Sequence, residues 1–570
     1  MNLNGLLYGF CLSLIFGCQK KYDPADLVIF GGKIYTVHGQ HPVVEAVAVK
    51  GNRIIFAGSE KEAGKYKGDQ TQIIDLQGKI MTPGFIEGHG HLMGVGYNAL
   101  ELDLMSVRSY EELVQKVAEA VQNAKPGEWI LGRGWHQDKW DHKPENMVKG
   151  FQTHHLLSEI SPDNPVFLEH ASGHAALANA KAMEIAGINP LAKEKSPQAE
   201  GGLGGEIIRD ALGNPTGIFN ERATNLIERY IPERTPATDA KALNLALQQC
   251  LQNGITSFHD AGVSREIIEL YKQFRKTNKL TVRLYVMLTG SDSNLIHEWF
   301  LKGPEIDPEQ WLTIRSIKLN CDGALGSRGA WLLEPYNDRQ GFYGMATLSM
   351  DTVLSVSREA LKHGFQVCSH AIGDRTNREI LDRYEISFSE YTGEIKDHRF
   401  RIEHAQHLHP DDIDRFGRLG VIAAMQAIHM SSDRPWAIDR LGEKRIRGGA
   451  YMWQSILKGG ARIVNGTDAP VEPINPIPSF YAAVTRKTLK GEPAGGYEPE
   501  EKMTRQQALR SYTLDAAYAA FEDKMKGSIE PGKLADFTVF SKDLMMIEEA
   551  EILQTEVSIT ILNGKVAFKE

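Results

Sequence analysis

The sequence predicts an α/β protein built on an eight-stranded (β/α)8 barrel, the TIM-barrel class, with a composite β-sandwich formed from both chain ends. Three observations lead to this prediction. Eight short apolar segments alternate with helical stretches through the middle of the chain. Residues of metal-ligand type stand at the ends of several of these segments. Both chain ends carry short strands broken by Gly and Asn, a pattern typical of a small β-sandwich.

The eight apolar segments are predicted as barrel strands because short apolar runs alternating with helical stretches are typical of a parallel βα fold. They cover residues 82–91, 255–260, 283–287, 314–320, 366–371, 400–404, 421–426 and 463–468. The interval between the first and second segments is too long for one helix. Residues from about 97 to 240 are therefore predicted to be an insertion, and inserted loops at the catalytic face of a barrel shape substrate access.

Both chain ends are predicted to build one domain beside the barrel. The segments with strand character are LVIF at 27–30, AVAV at 46–49, RIIFA at 53–57, QIID at 72–75, ADFTVF at 535–540 and VSITIL at 557–562. The predicted boundaries place the composite sandwich at 25–81 and 490–570, and the barrel with its insertion at 82–489.

The composition is that of an ordinary globular chain, with 42% hydrophobic and 24% charged residues. A formal net charge of -9 argues against nucleic acid and anionic membrane surfaces as partners, because both require basic patches. Cys250, Cys321 and Cys368 lie far apart within or beside predicted barrel elements. This spacing predicts buried free thiols and no disulfide framework.

The first 17 residues are predicted to be a bacterial lipoprotein signal peptide. The apolar stretch 6–17 is too short to cross a bilayer as a helix, which takes about 20 residues. It leads into Ile15-Phe16-Gly17-Cys18, which resembles a lipobox, and residues 18–24 would form a tether. The first five residues carry no Lys or Arg, and a disordered apolar tail is the alternative. We expect an exported, membrane-anchored lipoprotein of the cell envelope, lipidated at Cys18; a cytoplasmic protein that keeps residues 1–17 would contradict this.

His89 and His91 are the first candidate metal ligands. They lie two residues apart on a predicted strand, so both side chains project from one face. Imidazole nitrogens are common zinc ligands, and two on one face can bind a single ion. This spacing alone is weak evidence, because two such histidines often only pack.

Lys318 lies in an alternating segment that turns its side chain toward the barrel interior. A bare lysine there is unfavourable unless it is paired or deprotonated. A lysine carboxylated by carbon dioxide could bridge two cations, whereas an ion pair with Asp322 or Asp468 is the alternative. The residue pattern leaves both open.

His370, His404 and Asp468 each end a predicted strand. A single histidine at a strand end is more often a hydrogen-bonding residue than a ligand. Two of them on neighbouring barrel strands, in a chain that already offers His89 and His91, favour metal binding. A carboxylate at Asp468 could both bind a metal and transfer protons.

Four further residues are candidates for substrate contacts, with core packing or loop capping as the alternative for each: Trp135, His174, Gln426 and His429. Trp129, Trp135 and Trp140 cluster with glycines in the insertion, a composition that suits an apolar pocket. They therefore suggest a substrate with an apolar or aromatic group on its amine side. Packing of the insertion onto the barrel explains these tryptophans equally well.

The chain resembles the amidohydrolase superfamily of metal-dependent hydrolases, within it the group typified by N-substituted formamide deformylases (amidohydrolase family 3). The resemblance covers about residue 25 to the end. It rests on PGFI at 83–86 followed by His89 and His91, DGALGS at 322–327, HAIGD at 370–374, EHAQ at 403–406, MQ at 425–426, GTDAP at 466–470 and GSIEPGKLAD at 527–536. It implies a TIM barrel with a composite sandwich and two divalent metal ions, with zinc expected. It also favours the carboxylated, bridging form of Lys318.

The function implied by this resemblance is hydrolysis of the C–N bond of a small N-substituted amide by metal-activated hydroxide. His89, His91 and Asp468 would hold one ion, His370 and His404 the other, and Lys318 would bridge them. Asp468 would carry the proton from water to the leaving nitrogen. The only membrane contact expected is the lipid anchor. The alternatives are a deaminase or other hydrolase of cyclic C–N bonds, and a non-catalytic binding lipoprotein.

Overall fold

The structure is a computed structural model that describes residues 22–188, 205–394 and 397–570. The predicted signal peptide and Cys18 lie outside the described residues, so export and lipidation stay predictions. Within the described ranges, no helix combines the length and the apolar character that a bilayer crossing requires.

Eight parallel strands form the barrel, which confirms the predicted fold, and a short antiparallel strand, Glu305–Ile306, pairs with the strand Leu312–Asn320 of the same sheet. Neighbours in the sheet follow chain order, and barrel strands 1 to 8 are Phe85–Gly90, Ile255–Val263, Arg283–Thr289, Leu312–Asn320, Gln366–Ala371, Arg401–His404, Ile422–Met425 and Ile463–Asn465. Beyond strand 8, Asp468 donates its backbone N–H to the carbonyl of His89 on strand 1 at 2.9 Å. Glu87 on strand 1 accepts the backbone N–H of Thr467 at 2.7 Å and its hydroxyl at 3.0 Å. These bonds join the last strand to the first.

Helices cover the outside of the barrel: Pro236–Gln252, Arg265–Lys276, Ser293–Lys302, Met350–His363, Asp374–Glu390, Pro410–Leu419, Ala427–Leu441, Trp453–Lys458 and Pro476–Thr485. Local sequence explains their ends. Thr235 caps the first of them by accepting the N–H of Thr238, with Pro236 at the first helical position. Gly364, in the left-handed region with a φ of 77°, ends the helix at His363.

The segment predicted as one strand over 82–91 is two strands. Ile80–Pro83 belongs to the sandwich, and Phe85–Gly90 to the barrel. The break falls at Gly84, where a side-chain Cβ would lie 2.2 Å from Oγ1 of Thr256. A glycine there lets the chain pass close to barrel strand 2 as it changes sheets.

Both chain ends contribute to the composite sandwich, as predicted. One sheet contains Arg53–Gly58, Ala46–Lys50, Leu27–Phe30 and Gln72–Asp75; the other contains Lys565–Lys569, Val557–Leu562, Phe537–Phe540, Ile80–Pro83, Lys33–Tyr35 and Val43–Val44. A core of buried aliphatic residues and Phe537 fills the space between them. The region 490–570 also holds the helices Arg505–Ser511 and Leu514–Ala519, which pack against barrel strands 1 and 8.

The insertion is an α/β unit with its own mixed sheet and its own buried clusters. Its strands, in spatial order, are Gly205–Arg209, Pro215–Glu221, Ala175–Ala178, Val166–His170, Ile130–Trp135 and Leu102–Asp103. Its helices include Tyr110–Asn123, His155–Ile160 and Ala180–Ile185. It contributes residues to the wall of the cavity at the carboxyl end of the barrel.

Candidate metal centre

His89, His91 and Asp468 meet at the carboxyl end of the barrel. Oδ1 of Asp468 lies 3.2 Å from Nε2 of His91 and 3.6 Å from Nε2 of His89. Ligand atoms that each lie about 2 Å from one tetrahedral zinc ion are about 3.3 Å apart. Oδ1 of Asp468 is buried and accepts no well-aligned hydrogen bond from the described residues. The spacing and the free oxygen both fit a shared divalent ion.

Acceptor oxygens orient three of the predicted ligand histidines. Nδ1 of His89 contacts the carboxylate of Glu403, Nδ1 of His91 lies 2.9 Å from the carbonyl of Ala261, and Nδ1 of His404 lies 2.8 Å from Oε1 of Gln426. Histidines that bind metals usually donate their other ring N–H to such an oxygen. A proton on Nδ1 leaves the Nε2 lone pair of each ring available to an ion.

Two of these candidate ligands have unusual backbone conformations. His404 has a φ of 73° and Asp468 a φ of 57°. Non-glycine residues in the left-handed region often mark functional sites, where the surrounding structure maintains the strain. At Asp468 the backbone bond to His89 holds this conformation in place.

Lys318 points into the barrel, as its sequence pattern predicts. Its Nζ lies 3.1 Å from Nε2 of His89, and the residue is 4% exposed. Burial lowers the pKa of Lys318, although the carboxylates of Glu403 and Asp468 oppose that shift. A lysine with a lowered pKa spends more time as the neutral amine, the form that reacts with carbon dioxide.

Sequence reasoning missed the buried ion pair beneath His89. Arg401 donates from Nε to Oε1 of Glu403 at 2.7 Å and from Nη2 to Oε2 at 2.8 Å. The same Nη2 reaches the carbonyl of Gly88 at 2.7 Å. Burial would raise the pKa of Glu403, but Arg401 and His89 outweigh it and hold that pKa well below its usual range. Arg401 and Glu403 lie two residues apart on the same barrel strand, so both side chains point toward the same face. This spacing of opposite charges is the sequence signal that could have revealed the pair.

His404 and His370 lie side by side, with ring centroids 4.4 Å apart. Nε2 of His370 faces Asp322, 3.3 Å from its Oδ1. Asp322 accepts the backbone N–H groups of residues 331, 372 and 373 at 2.9–3.0 Å and the hydroxyl of Thr376 at 2.7 Å. Burial raises the pKa of Asp322 to about 6 even though these donors oppose it. Asp322 is therefore an anchor for the loops around His370.

A second group of possible ligand atoms contains a residue that was predicted only as a substrate contact. One donor atom from each of His404, His429 and Asp468 lies within 4.8 Å of the others. His429 is on the helix after barrel strand 7 and is buried. Gln426, also predicted to contact substrate, instead holds His404 and is not part of the cavity wall.

A cavity of about 590 Å³ opens above these residues, and its walls combine charged and polar side chains with apolar ones such as Trp436 and Leu325. Ion pairs at its rim include Lys139 with Glu472 at 2.8 Å and Arg133 with Glu169 at 2.7 Å. His174 also lines the cavity, as predicted, with Nδ1 lying 2.9 Å from Oε2 of Glu221. The sequence did not reveal these charged walls, because the residues come from the insertion and from distant barrel loops.

The prediction that the three tryptophans of the insertion form a substrate pocket is wrong, because none of them lines the cavity. Trp135 is fully buried in the core of the insertion, where its Nε1 donates to the carbonyl of Leu168 at 2.8 Å, so it does not contact the cavity. Trp140 belongs to the same core, and Trp129 packs against the other buried cluster of the insertion. Large aromatic side chains fill cores as readily as pockets, and here they stabilise the insertion.

The amidohydrolase family matches residues 72–568 of this chain. Protein LONG AFTER FAR-RED 3 of Arabidopsis thaliana is 35% identical, over 95% of this chain and 91% of its own length. N-substituted formamide deformylase of Arthrobacter pascens is 27% identical, over 95% of this chain and 98% of its own. A crystal structure of an uncharacterized metal-dependent hydrolase from Pyrococcus horikoshii OT3 has a TM-score of 0.71 and 27% identity, and covers 92% of this chain and 99% of its own.

The family match extends over most of the chain, and the fold and the histidine–carboxylate cluster agree with it. The chain therefore belongs to the amidohydrolase family, the metal-dependent hydrolases that act on carbon–nitrogen bonds.

Proposed function

We propose that this protein hydrolyses the C–N bond of a small N-substituted amide with the help of two divalent ions, zinc being the expected metal. One observation carries the proposal. His89, His91 and Asp468 stand at ligand spacing beside a cavity that His91 and Asp468 line, and acceptor oxygens at Nδ1 of both histidines direct the Nε2 atoms toward the shared position, where Nζ of Lys318 also lies 3.1 Å from Nε2 of His89.

These three residues would hold the first ion, and His370 and His404 the second, with a carboxylated Lys318 between them. Zinc in such a site acts as a Lewis acid and makes hydroxide available near neutral pH. The chain's own residues must then move a proton. Oδ1 of Asp468 is free of well-aligned hydrogen bonds, and Asp468 belongs to both groups of ligand atoms. We assign it the transfer of the water proton to the leaving nitrogen, because an amine leaves poorly without protonation.

The charged residues that line the cavity bear on the amine side of the substrate. The ion pairs of the cavity suit a polar amine side better than the aromatic group that the tryptophans suggested. A small acyl group is supported by the similarity to N-substituted formamide deformylase of Arthrobacter pascens. The competing function is deamination of a cyclic C–N substrate, which would release ammonia.

The product that is released distinguishes amide hydrolysis from deamination. Purified protein supplied with zinc and bicarbonate is incubated with N-benzyl formamide and acetamide, N-alkyl formamides, N-formyl and N-acetyl amino acids, and cyclic aminated substrates. We expect the formyl and acetyl amides to release amine and carboxylic acid, with the polar amides turned over fastest. Release of ammonia from cyclic substrates without amine release from any amide would overturn the proposal.

Lys318→Ala is expected to lower turnover by about tenfold to a hundredfold or more, a loss comparable to the effect of disturbing a metal's immediate surroundings. Short-chain carboxylic acids should partly restore activity, because they can occupy the space of the missing carboxylated side chain. Electron density for the metal-loaded wild type should show a carboxyl group on Nζ.

Lys139→Ala is the matched control, since Lys139 lines the same cavity but pairs with Glu472. Added acids should not restore any activity lost in that variant. An unmodified Lys318 in the metal-loaded enzyme would refute the bridging role.

A further inference from the structure

We propose that His429 is a metal ligand at the second ion position, together with His404 and Asp468. This inference rests on the proposed two-ion site and adds a residue to it. The resemblance and the sequence pattern place the second ion on His370 and His404, and neither assigns His429 to it.

The position of His429 in the fold is suitable for a ligand. Barrel strand 7 ends at Met425, and the helix Ala427–Leu441 begins directly after it. His429 is therefore in the first turn of a helix at the carboxyl end of the barrel, the end at which Asp468 also lies. Its side chain forms part of the cavity wall.

The distances support shared coordination. The donor atoms of His404, His429 and Asp468 lie within 4.8 Å of one another. Ligand atoms about 2 Å from one ion are at most about 4 Å apart, so small side-chain rotations would close the group around an ion. The rings of His404 and His429 are neighbours, with centroids 6.2 Å apart and planes inclined by 19°.

His429 also has a buried nitrogen with no role in the described fold. The residue is 8% exposed, and its Nε2 has no hydrogen-bond partner among the described residues. A buried polar atom without a partner is unfavourable and calls for an explanation such as an ion. Nδ1 of His404 lies 2.8 Å from Oε1 of Gln426 and 3.9 Å from Oδ2 of Asp468, and a proton on Nδ1 would leave Nε2 of His404 for the ion.

His370 is arranged differently from these three residues. Its Nε2 is also buried without a hydrogen-bond partner among the described residues, but it faces Oδ1 of Asp322 at 3.3 Å, and His370 belongs to neither group of ligand atoms that these residues form. His370 borders the site through its contact with the His404 ring. The geometry thus makes His429 a stronger ligand for the second ion than the sequence suggests.

The test is a cobalt titration of chelator-treated full-length protein, followed by visible absorption and elemental analysis. Wild type should bind two Co²⁺ ions per chain. His429→Gln should bind the first ion normally and the second at least about tenfold more weakly, with a changed spectrum. The matched control is His136→Gln, because His136 is also 8% exposed and lines the cavity but lies outside both groups of ligand atoms. It should bind both ions like wild type.

A second variant gives a positive signal. His429→Cys places a thiolate at the same position, and a thiolate bound to Co²⁺ adds a charge-transfer absorption band that imidazole does not give. We expect that band to appear with the second equivalent of Co²⁺. Normal binding of both ions by His429→Gln, with no new band in His429→Cys, would overturn the assignment, as would a wild type that binds one ion. These readouts need no substrate, so failure to cleave amides would refute the proposed function without refuting this ligand.

Discussion

Asp468→Asn is expected to keep the fold and to lose about two or more orders of magnitude in turnover. A general base contributes about a hundredfold to ten-thousandfold to an enzymatic rate, and Asp468 is also proposed as a ligand. Asparagine has nearly the same shape and, like aspartate, tolerates the φ of 57° at this position. The measurement is kcat from amine release with saturating metal, with circular dichroism to check folding and elemental analysis to check metal content.

Asp433→Asn is the matched control for this variant. Asp433 lines the same cavity but belongs to neither group of ligand atoms. The identical chemical change there should affect kcat by much less than the change at Asp468. A folded, metal-loaded Asp468→Asn protein with wild-type kcat would remove Asp468 from the mechanism.

Arg401→Met is expected to lower the free energy of unfolding by about 3–5 kcal/mol, the usual result of removing one partner from a buried ion pair. Methionine keeps much of the apolar volume of arginine but leaves the fully buried Glu403 without its main partner. The pKa of Glu403, now held well below its usual range by Arg401 and His89, should rise. Denaturant unfolding of the metal-free protein measures the loss.

Two comparisons sharpen this experiment. Arg358→Met breaks an exposed pair with Glu390 and should change stability little. The double variant Arg401→Met with Glu403→Gln should recover part of the lost stability, because it no longer buries an unpaired charge. An Arg401→Met protein as stable as wild type would show that the network does not stabilise the fold.

The barrel and most of the centre were predictable because their signals are local. Most barrel strands are short apolar runs, and several carry a candidate ligand among their last three residues, as Lys318 and His370 illustrate. The chain crosses the barrel once per strand, so side chains at successive strand ends must come together. That reasoning needs no knowledge of any contact between distant residues.

The residues that were missed depend on such contacts. Nothing in the local sequence shows that Glu403 meets His89, or that Lys139 of the insertion pairs with Glu472 of a barrel loop. The error at Trp135 has the same origin, since a tryptophan in a glycine-rich segment fits a core and a pocket equally well. Whether Trp135 lies in a core or in a pocket depends on how the mixed sheet of the insertion is assembled. The strands of that sheet pair over long sequence separations.

The joint between the first and last barrel strands has a consequence for the order of folding during synthesis. Glu87 and His89 bind Thr467 and Asp468, so the first ligand pair gains its carboxylate only after nearly 400 further residues have been made. The composite sandwich likewise waits for strands near the end of the chain. The insertion has its own sheet and clusters and depends on neither end. We expect it to acquire structure first on the ribosome, because domains fold as units while the N-terminal part is synthesised first. The metal centre can then be completed only after Asp468 has been made, and a chain that ends before this residue lacks the carboxylate that joins both groups of ligand atoms.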